Sequence, residues 1–210
     1  MDAHDLKNLE LLSSIIKEGD ILVDVGANHG TYTDFFKNKL GNTGKIYSIE
    51  LHPTTYNNLK RKYINDNNVI VINKAISNID GEIPYYQGDG DCLHNILGHD
   101  VNFKINNKIG TIQSSRLDTI LKDVEKIDLI KIDVEGAEYM VLEGIKNISN
   151  KVNYILVECH LISDWQKIKN LLINEYGFSC TNNSADNIIN REINMDTTNV
   201  AYQCFCKNVK

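Results

Sequence analysis

Proline is almost missing from this chain of 210 residues, which carries only Pro53 and Pro84. That scarcity excludes a collagen-like sequence or a proline-rich spacer. No apolar run reaches the roughly 20 residues that a membrane-spanning helix needs. The opening stretch MDAHDLKNLELL lacks the basic and apolar regions of a secretory leader. A soluble, cytoplasmic protein with no membrane insertion is expected. There is no stripe of Lys or Arg, and the formal net charge is −6, which disfavours a nucleic-acid backbone as partner. C-x-x-C spacing is absent as well. The five cysteines, Cys92, Cys159, Cys180, Cys204 and Cys206, are odd in number and irregularly spaced, so reduced thiols are expected. For Cys204 and Cys206, in an alternating apolar run, core packing is favoured over metal binding. Neither a repeat nor a linker divides the chain, and residues 1–210 read as one domain large enough to bury a substantial core.

What the chain does contain is a regular alternation. Leu6, Leu9, Leu12, Ile15 and Ile16 have helical spacing and predict a helix over 4–17. The strand ILVDV follows, then a helix over 31–40, the strand KIYSIE ending at Glu50, and a helix opened by Pro53. VIVINKAIS supplies a third strand. This β-α-β-α-β order predicts an α/β fold with a parallel sheet and right-handed crossovers. Residues 81–115 interrupt it, as an insertion of extra strands carrying a mobile loop. The rhythm then resumes with helix RLDTILKDV, strand IDLIKID, helix AEYMVLEGI and strand VNYILVECH. A helix around 164–176 follows, and GFSC and NVAYQCFCKN form two last strands around the polar stretch 181–198.

The turn DVGANHG, residues 24–30, sits at the end of the first strand, where doubly wound sheets bind ligands. Gly26 and Gly30 allow close approach of the backbone. The spacing is not the G-x-G-x-x-G of dinucleotide sites, which disfavours an NAD(P) oxidoreductase. Asp24 inside the motif repels a phosphate but suits a cationic amino acid. Glu50, ending the second strand, can accept hydrogen bonds from two ribose hydroxyls. A nucleoside carrying an amino acid and no phosphate fits both, and S-adenosylmethionine is such a molecule. The plainer alternative is a tight strand–helix turn beside an exposed Glu.

DVGANHGTYT, Glu50, NKAISNIDGEI, SSRLDTI, IDLIKIDVEGAEYMVLEGI and YILVECH occur in the order that resembles the FkbM-like methyltransferases. The resemblance runs from about residue 20 to 160, and KIDVEGAE is its most distinctive piece. It implies a class I methyltransferase fold, a Rossmann-like three-layer sandwich. Its seven-stranded sheet would have the order 3-2-1-4-5-7-6 with strand seven antiparallel. It further implies S-adenosylmethionine-dependent O-methylation of a sugar, glycan or small metabolite. Asp24, Gly26, Ala27, Asn28, Gly30, Glu50 and Leu51 carry over as cofactor residues, and Ala75 would lie beside the adenine. The rivals are an RNA ribose 2′-O-methyltransferase and a non-catalytic cofactor-binding scaffold.

Lys131 and Asp133 share one face of the fourth strand of the alternation, and Glu158 and His160 share one face of the fifth. These four, with Glu135, are the catalytic candidates. A hydroxyl acceptor benefits from a base, which Asp133 or His160 can supply. A divalent cation held by Asp133, Glu158 and His160 is the alternative, and metal-free catalysis is preferred. The plainer reading is a Lys131–Glu158 ion pair with His160 facing solvent. Glu135 and Glu138 can cap the next helix, and Glu135 can also face the substrate. Asp89, Asp91, His94 and His99 resemble a metal cluster, although irregular loop spacing favours solvation. Trp165, Tyr85 and Tyr86 suit either sugar stacking or core packing. Acceptor selection is assigned to residues 84–100 and 182–198.

Overall fold

Apolar residues repeating at helical spacing build the first element, Ala3–Ile15 (α1), which buries Leu12 against the sheet. The strand Ile21–Val25 (β1) and the helix Thr31–Leu40 (α2) follow. Next come Lys45–Glu50 (β2), Pro53–Lys62 (α3) with Pro53 in its first turn, and Val69–Asn73 (β3). In this computed structural model the described residues are 3–87, 95–98, 107–182 and 202–209.

The third strand is shorter than VIVINKAIS predicts. Asn73 donates its side-chain amide to the carbonyls of Glu50 (2.8 Å) and Leu51 (2.9 Å), tying off β3 beside the end of β2. Beyond Lys74, Ala75–Ile76 (β4) pairs instead with a second sheet. That sheet comprises β4, Gly81–Gln87 (β5) and Asn107–Ser115 (β6), in the order β4-β6-β5. The chain then returns through Leu117–Ile120 (α4), Ile127–Ile132 (β7), Glu138–Glu143 (α5) and Val152–Cys159 (β8). Ile162–Asn170 (α6) runs into a π-helical turn, and Phe178–Asn182 (β9) and Tyr202–Asn208 (β10) close the fold.

The main sheet has the order β3-β2-β1-β7-β8-β10-β9, with β10 antiparallel to both neighbours. The numbering departs from the expected 3-2-1-4-5-7-6 because β4, β5 and β6 intervene in the chain and form the second sheet. Side chains alternate across it. Val23, Val25, Ile130 and Ile132 face a core shared with Leu142 and Trp165, and Leu22 and Leu129 face one shared with Leu12, Phe36 and Leu59. Trp165 is therefore core, and Tyr85 is buried against Ile83 and Ile112 of the second sheet. Among the described residues no helix is long and apolar enough to cross a membrane.

The cysteines correct the expectation of reduced thiols throughout. Cys180 and Cys206 stand directly opposite each other on β9 and β10 and form a disulfide. Directly opposite positions of an antiparallel pair project to the same face, which brings their sulfurs together. Cys159 and Cys204 are free and buried, with the Cys204 Sγ 3.1 Å from that of Cys206.

Candidate active site

The turn after β1 is built on two left-handed glycines, Gly26 with φ 77° and Gly30 with φ 85°. Neither tolerates a side chain. A Cβ on Gly26 would lie 1.7 Å from the carbonyl oxygen of Asp133, and one on Gly30 would lie 2.5 Å from the Tyr63 hydroxyl. The Asp133 amide donates to the Val25 carbonyl at 3.1 Å, so the ends of β1 and β7 are locked together at this point. Asn28 is also left-handed, with φ 47°, a conformation Asn adopts more readily than most residues. Its amide donates to Glu50 Oε2 at 2.9 Å, and the His52 amide donates to Glu50 Oε1 at 2.8 Å. Burial raises the pKa of Glu50, and these two amides work against the rise. Each carboxylate oxygen keeps acceptor capacity for a ribose hydroxyl.

Asp24 lies beneath the turn and is fully buried. Thr33 donates its hydroxyl to Asp24 Oδ2 at 2.7 Å, and Lys131 Nζ lies 3.5 Å from Oδ1. Lys131 projects to the same face as Asp24 because both stand on the Leu22/Leu129 side of the sheet. Its ammonium donates to the Gly26 carbonyl and to Asp133 Oδ2, each at 3.2 Å, and sits 4.9 Å from the centre of the Tyr32 ring. Burial alone would discharge this lysine, but Asp133 and Asp24 outweigh it and shift the pKa upward. The partners of Lys131 are thus Asp24 and Asp133, not Glu158. Asp24 comes within reach because it stands opposite Lys131 in the β1–β7 register.

At the ends of β7 and β8 a second cluster forms around His160, whose side chain is only 13% exposed, not solvent-facing. Its Nδ1 lies 2.8 Å from Oε1 of Glu138, a residue that is 1% exposed. Its Nε2 faces Asp133 Oδ1 at 3.7 Å, Glu135 Oε2 at 3.8 Å and Glu158 Oε1 at 3.8 Å. All three distances exceed a direct hydrogen bond, a spacing suited to a group inserted among them. Burial opposes a charge on His160, yet the Glu138 bond and the Glu135 and Asp133 carboxylates lift its pKa to about 10. Glu135 is pushed up to about 7, chiefly by burial. His160 opposes that rise, and Asp133, Glu138 and Glu158 add to it. Ligand atoms of Asp133, Glu135 and His160 lie within 4.8 Å of one another, so a divalent cation is chemically admissible here too.

The structure thus brings together Asp133, Glu135, Glu158 and His160 in one cluster at the ends of β7 and β8, with Lys131 deeper. It also brings Asp24, Gly26, Ala27, Asn28, Gly30 and Glu50 together at the adjoining turn. Ala75 is buried in the second sheet's cluster, with Leu51 packed against it. Tyr85 joins them there, its pKa pushed up to about 12 by burial and by nearby Glu50. Sequence reasoning missed Tyr85 as a neighbour of Glu50 and Glu138 as a partner of His160. The signal for Glu138 was present in DVEGAE, where its acidic side chain was read only as a helix cap. Asp89, Asp91, His94, His99 and most of the segments 84–100 and 182–198 lie outside the described residues.

Residues 24–180 match the sequence profile of the Methyltransferase FkbM domain. The hexuronic acid methyltransferase AglP of Haloferax volcanii is 28% identical over 165 residues, spanning 78% of this chain and 66% of that protein. The chain therefore covers just under two thirds of that relative's length. Among solved structures, a candidate rRNA methylase from Clostridium thermocellum is similar with a TM-score of 0.62. It is 11% identical, and the match covers 100% of this chain and 98% of the other. An FkbM methyltransferase from Methylobacillus flagellatus KT has a TM-score of 0.60 at 16% identity, covering 90% of this chain and 43% of that one. At such identities the structural likenesses establish the fold.

Proposed function

The chain belongs to the FkbM family of S-adenosylmethionine-dependent methyltransferases, and on that premise we propose that it O-methylates a hydroxyl of a sugar, glycan or small metabolite. The observation that carries this reading is the contact between Gly26 and Asp133, which sets the cofactor turn directly against the acid–imidazole mouth. The cofactor side fits its ligand on two counts. The Glu50 carboxylate is positioned by two amides, and the buried Asn28 Oδ1 has no hydrogen-bond partner among the described residues. Gly26, Ala27, Asn28, Gly30 and Glu50 would hold S-adenosylmethionine, with Leu51, Ala75 and Tyr85 on the nucleobase side. When bound, it supplies an electrophilic sulfonium methyl group.

The remaining chemistry belongs to the mouth. Oxygen attack on a methyl group is helped by removal of the hydroxyl proton. His160, with its pKa near 10, is an imidazolium at neutral pH and is unsuited to accept that proton. Glu135, near 7, is matched to the task, and Asp133 shares the opposite side of the imidazole. In this assignment Glu135 takes the proton and His160 holds charge against the developing alkoxide. Lys131 keeps Asp133 and the Gly26 carbonyl in place. The name of the AglP relative supports a sugar acceptor. The carboxylates of Asp133, Glu135 and Glu158 would repel an RNA phosphate, which favours the sugar over the ribose 2′-O reading.

The test is transfer of labelled methyl groups from S-adenosylmethionine to a panel of glycans, small hydroxyl compounds and RNAs. Label in a methyl ether of a sugar or small hydroxyl compound is expected. Label confined to RNA, or no transfer from a cofactor that binds, would overturn the proposal.

A further inference from the structure

We infer that Glu138 is the positioning residue of the site, holding His160 so that its Nε2 is presented to the acceptor. One buried oxygen does this. Glu138 Oε1 accepts hydrogen bonds from the amides of Gly136 at 2.9 Å and Val134 at 3.4 Å, and meets His160 Nδ1 at 2.8 Å. The first two contacts fold the loop between β7 and α5 back over the carboxylate. In that loop Glu135 takes φ 55° and Gly136 takes φ 107°. The third contact reaches 22 residues along the chain to the end of β8. A single side chain therefore sets two things together, the direction of the imidazole and the path that carries Glu135 toward it.

The orientation follows from the two ring nitrogens being distinct. With Nδ1 committed to Glu138, Nε2 is the nitrogen left facing the mouth. The charged groups around the ring are Asp133 after β7, Glu135 in the loop, Glu138 on α5 and Glu158 on β8. Of these only Glu138 is within hydrogen-bond distance. The other three surround Nε2 at 3.7–3.8 Å and do not fix the ring's rotation. A carboxylate that orients a histidine in this way changes catalysis without touching the acceptor. The inference rests on the methyl-transfer reading only for its kinetic readout, since the state of the imidazole is measured separately.

The experiment compares the wild-type protein with Glu138→Gln and Glu138→Asp. It follows the His160 ring nitrogens by NMR across pH, cofactor affinity by calorimetry, and kcat and KM for the acceptor. Glu138→Gln is expected to lower the titration midpoint of His160 by more than about one pH unit. It should reduce kcat by roughly 100-fold while cofactor affinity changes less than about 2-fold. Glu138→Asp, which retains the charge, should recover part of both the midpoint and kcat. An unchanged His160 midpoint, or an unchanged kcat in folded Glu138→Gln, would overturn the role. So would Mg²⁺, Mn²⁺ or Zn²⁺ that shifts the Nε2 resonance of metal-free enzyme and raises kcat, because Nε2 would then be a metal ligand. If Glu138→Gln does not fold, the wild type decides the question, and a His160 midpoint near the ordinary 6.5 would overturn the role. A wild type that fails to transfer methyl groups yet titrates as expected refutes the proposed reaction and leaves the Glu138–His160 contact standing.

Discussion

Replacing Lys131 with Met probes the centre of the fold and the site at once. Met is close to lysine in length and keeps the apolar stem packed, so the change removes mainly the ammonium. That ammonium bonds to the Gly26 carbonyl and Asp133 and neutralises Asp24, which is wholly buried. Asp24 would keep the Thr33 hydroxyl on one oxygen and lose the only cation facing the other among the described residues. Removing one partner of a buried pair costs about 3–5 kcal/mol. For a chain of this size each kcal/mol lowers the melting temperature by about 2–4 °C, so a fall of roughly 6–20 °C is expected. Differential scanning calorimetry measures it. The double variant Asp24→Asn/Lys131→Met removes the stranded charge and should recover at least half the loss, a coupling that a double-mutant cycle reports. A Lys131→Met protein melting within about 2 °C of wild type, against the fall expected from size scaling, would refute the reasoning. So would a double variant in which the two losses simply add.

Glu50→Ala should weaken S-adenosylmethionine binding by roughly 1–3 kcal/mol through loss of charge-assisted ribose bonds; calorimetry showing unchanged affinity in a folded variant removes Glu50 from the cofactor site. Methyl transfer should rise with pH through about 7 as Glu135 loses its proton and fall through about 10 as His160 loses its own. In Glu135→Gln the acid limb should vanish, and an acid limb that persists at the same pH would assign the base elsewhere. The Cys180–Cys206 bridge, with a sequence separation of 26, should contribute roughly 3–4 kcal/mol by restricting the unfolded chain. Cys180→Ser should lower the melting temperature and leave cofactor affinity intact, and an unchanged melting temperature would count against the bond.

Much of this architecture was legible because the periodicities are local. Ile21–Val25, Lys45–Glu50 and Ile127–Ile132 are short apolar runs bounded by turn residues. The first two are strands with the bounds their patterns predict, and the third ends one residue short of the Asp133 that closes its pattern. The position of Glu50 beside the β1 turn was legible because a strand's last residue lands at the carboxyl edge of a parallel sheet. What the sequence hid depends on partners far apart in the chain. Lys131 and Glu158 lie on the same face of adjacent strands, so their pairing was a fair expectation. Only the register of β1 against β7 shows that Asp24 stands closer. Cys180 and Cys206 look unrelated until β9 and β10 are paired antiparallel. The break at Lys74 was hidden because Ala75 and Ile76 suit either sheet, and the side-chain bonds of Asn73 decide where the first one ends. Glu138 was visible as a helix-capping acid but not as a partner of His160, since nothing in 22 residues of spacing announces a hydrogen bond.

The contact between Gly26 and the Asp133 carbonyl also bears on how the enzyme can be altered. No methyl group fits there, and the Asp133 amide is already bonded to Val25. On the proposed roles, the residues that would hold the donor and those that would face the acceptor are in effect one machined part. A library that shifts the backbone near Asp133 to admit a bulkier acceptor would drag the cofactor turn with it, and donor affinity would suffer in the same clones. On the same proposed roles, screens for a new acceptor should therefore leave positions 24–30 and 131–133 untouched and draw their diversity from exposed side chains of the second sheet, such as Pro84 and Gln87.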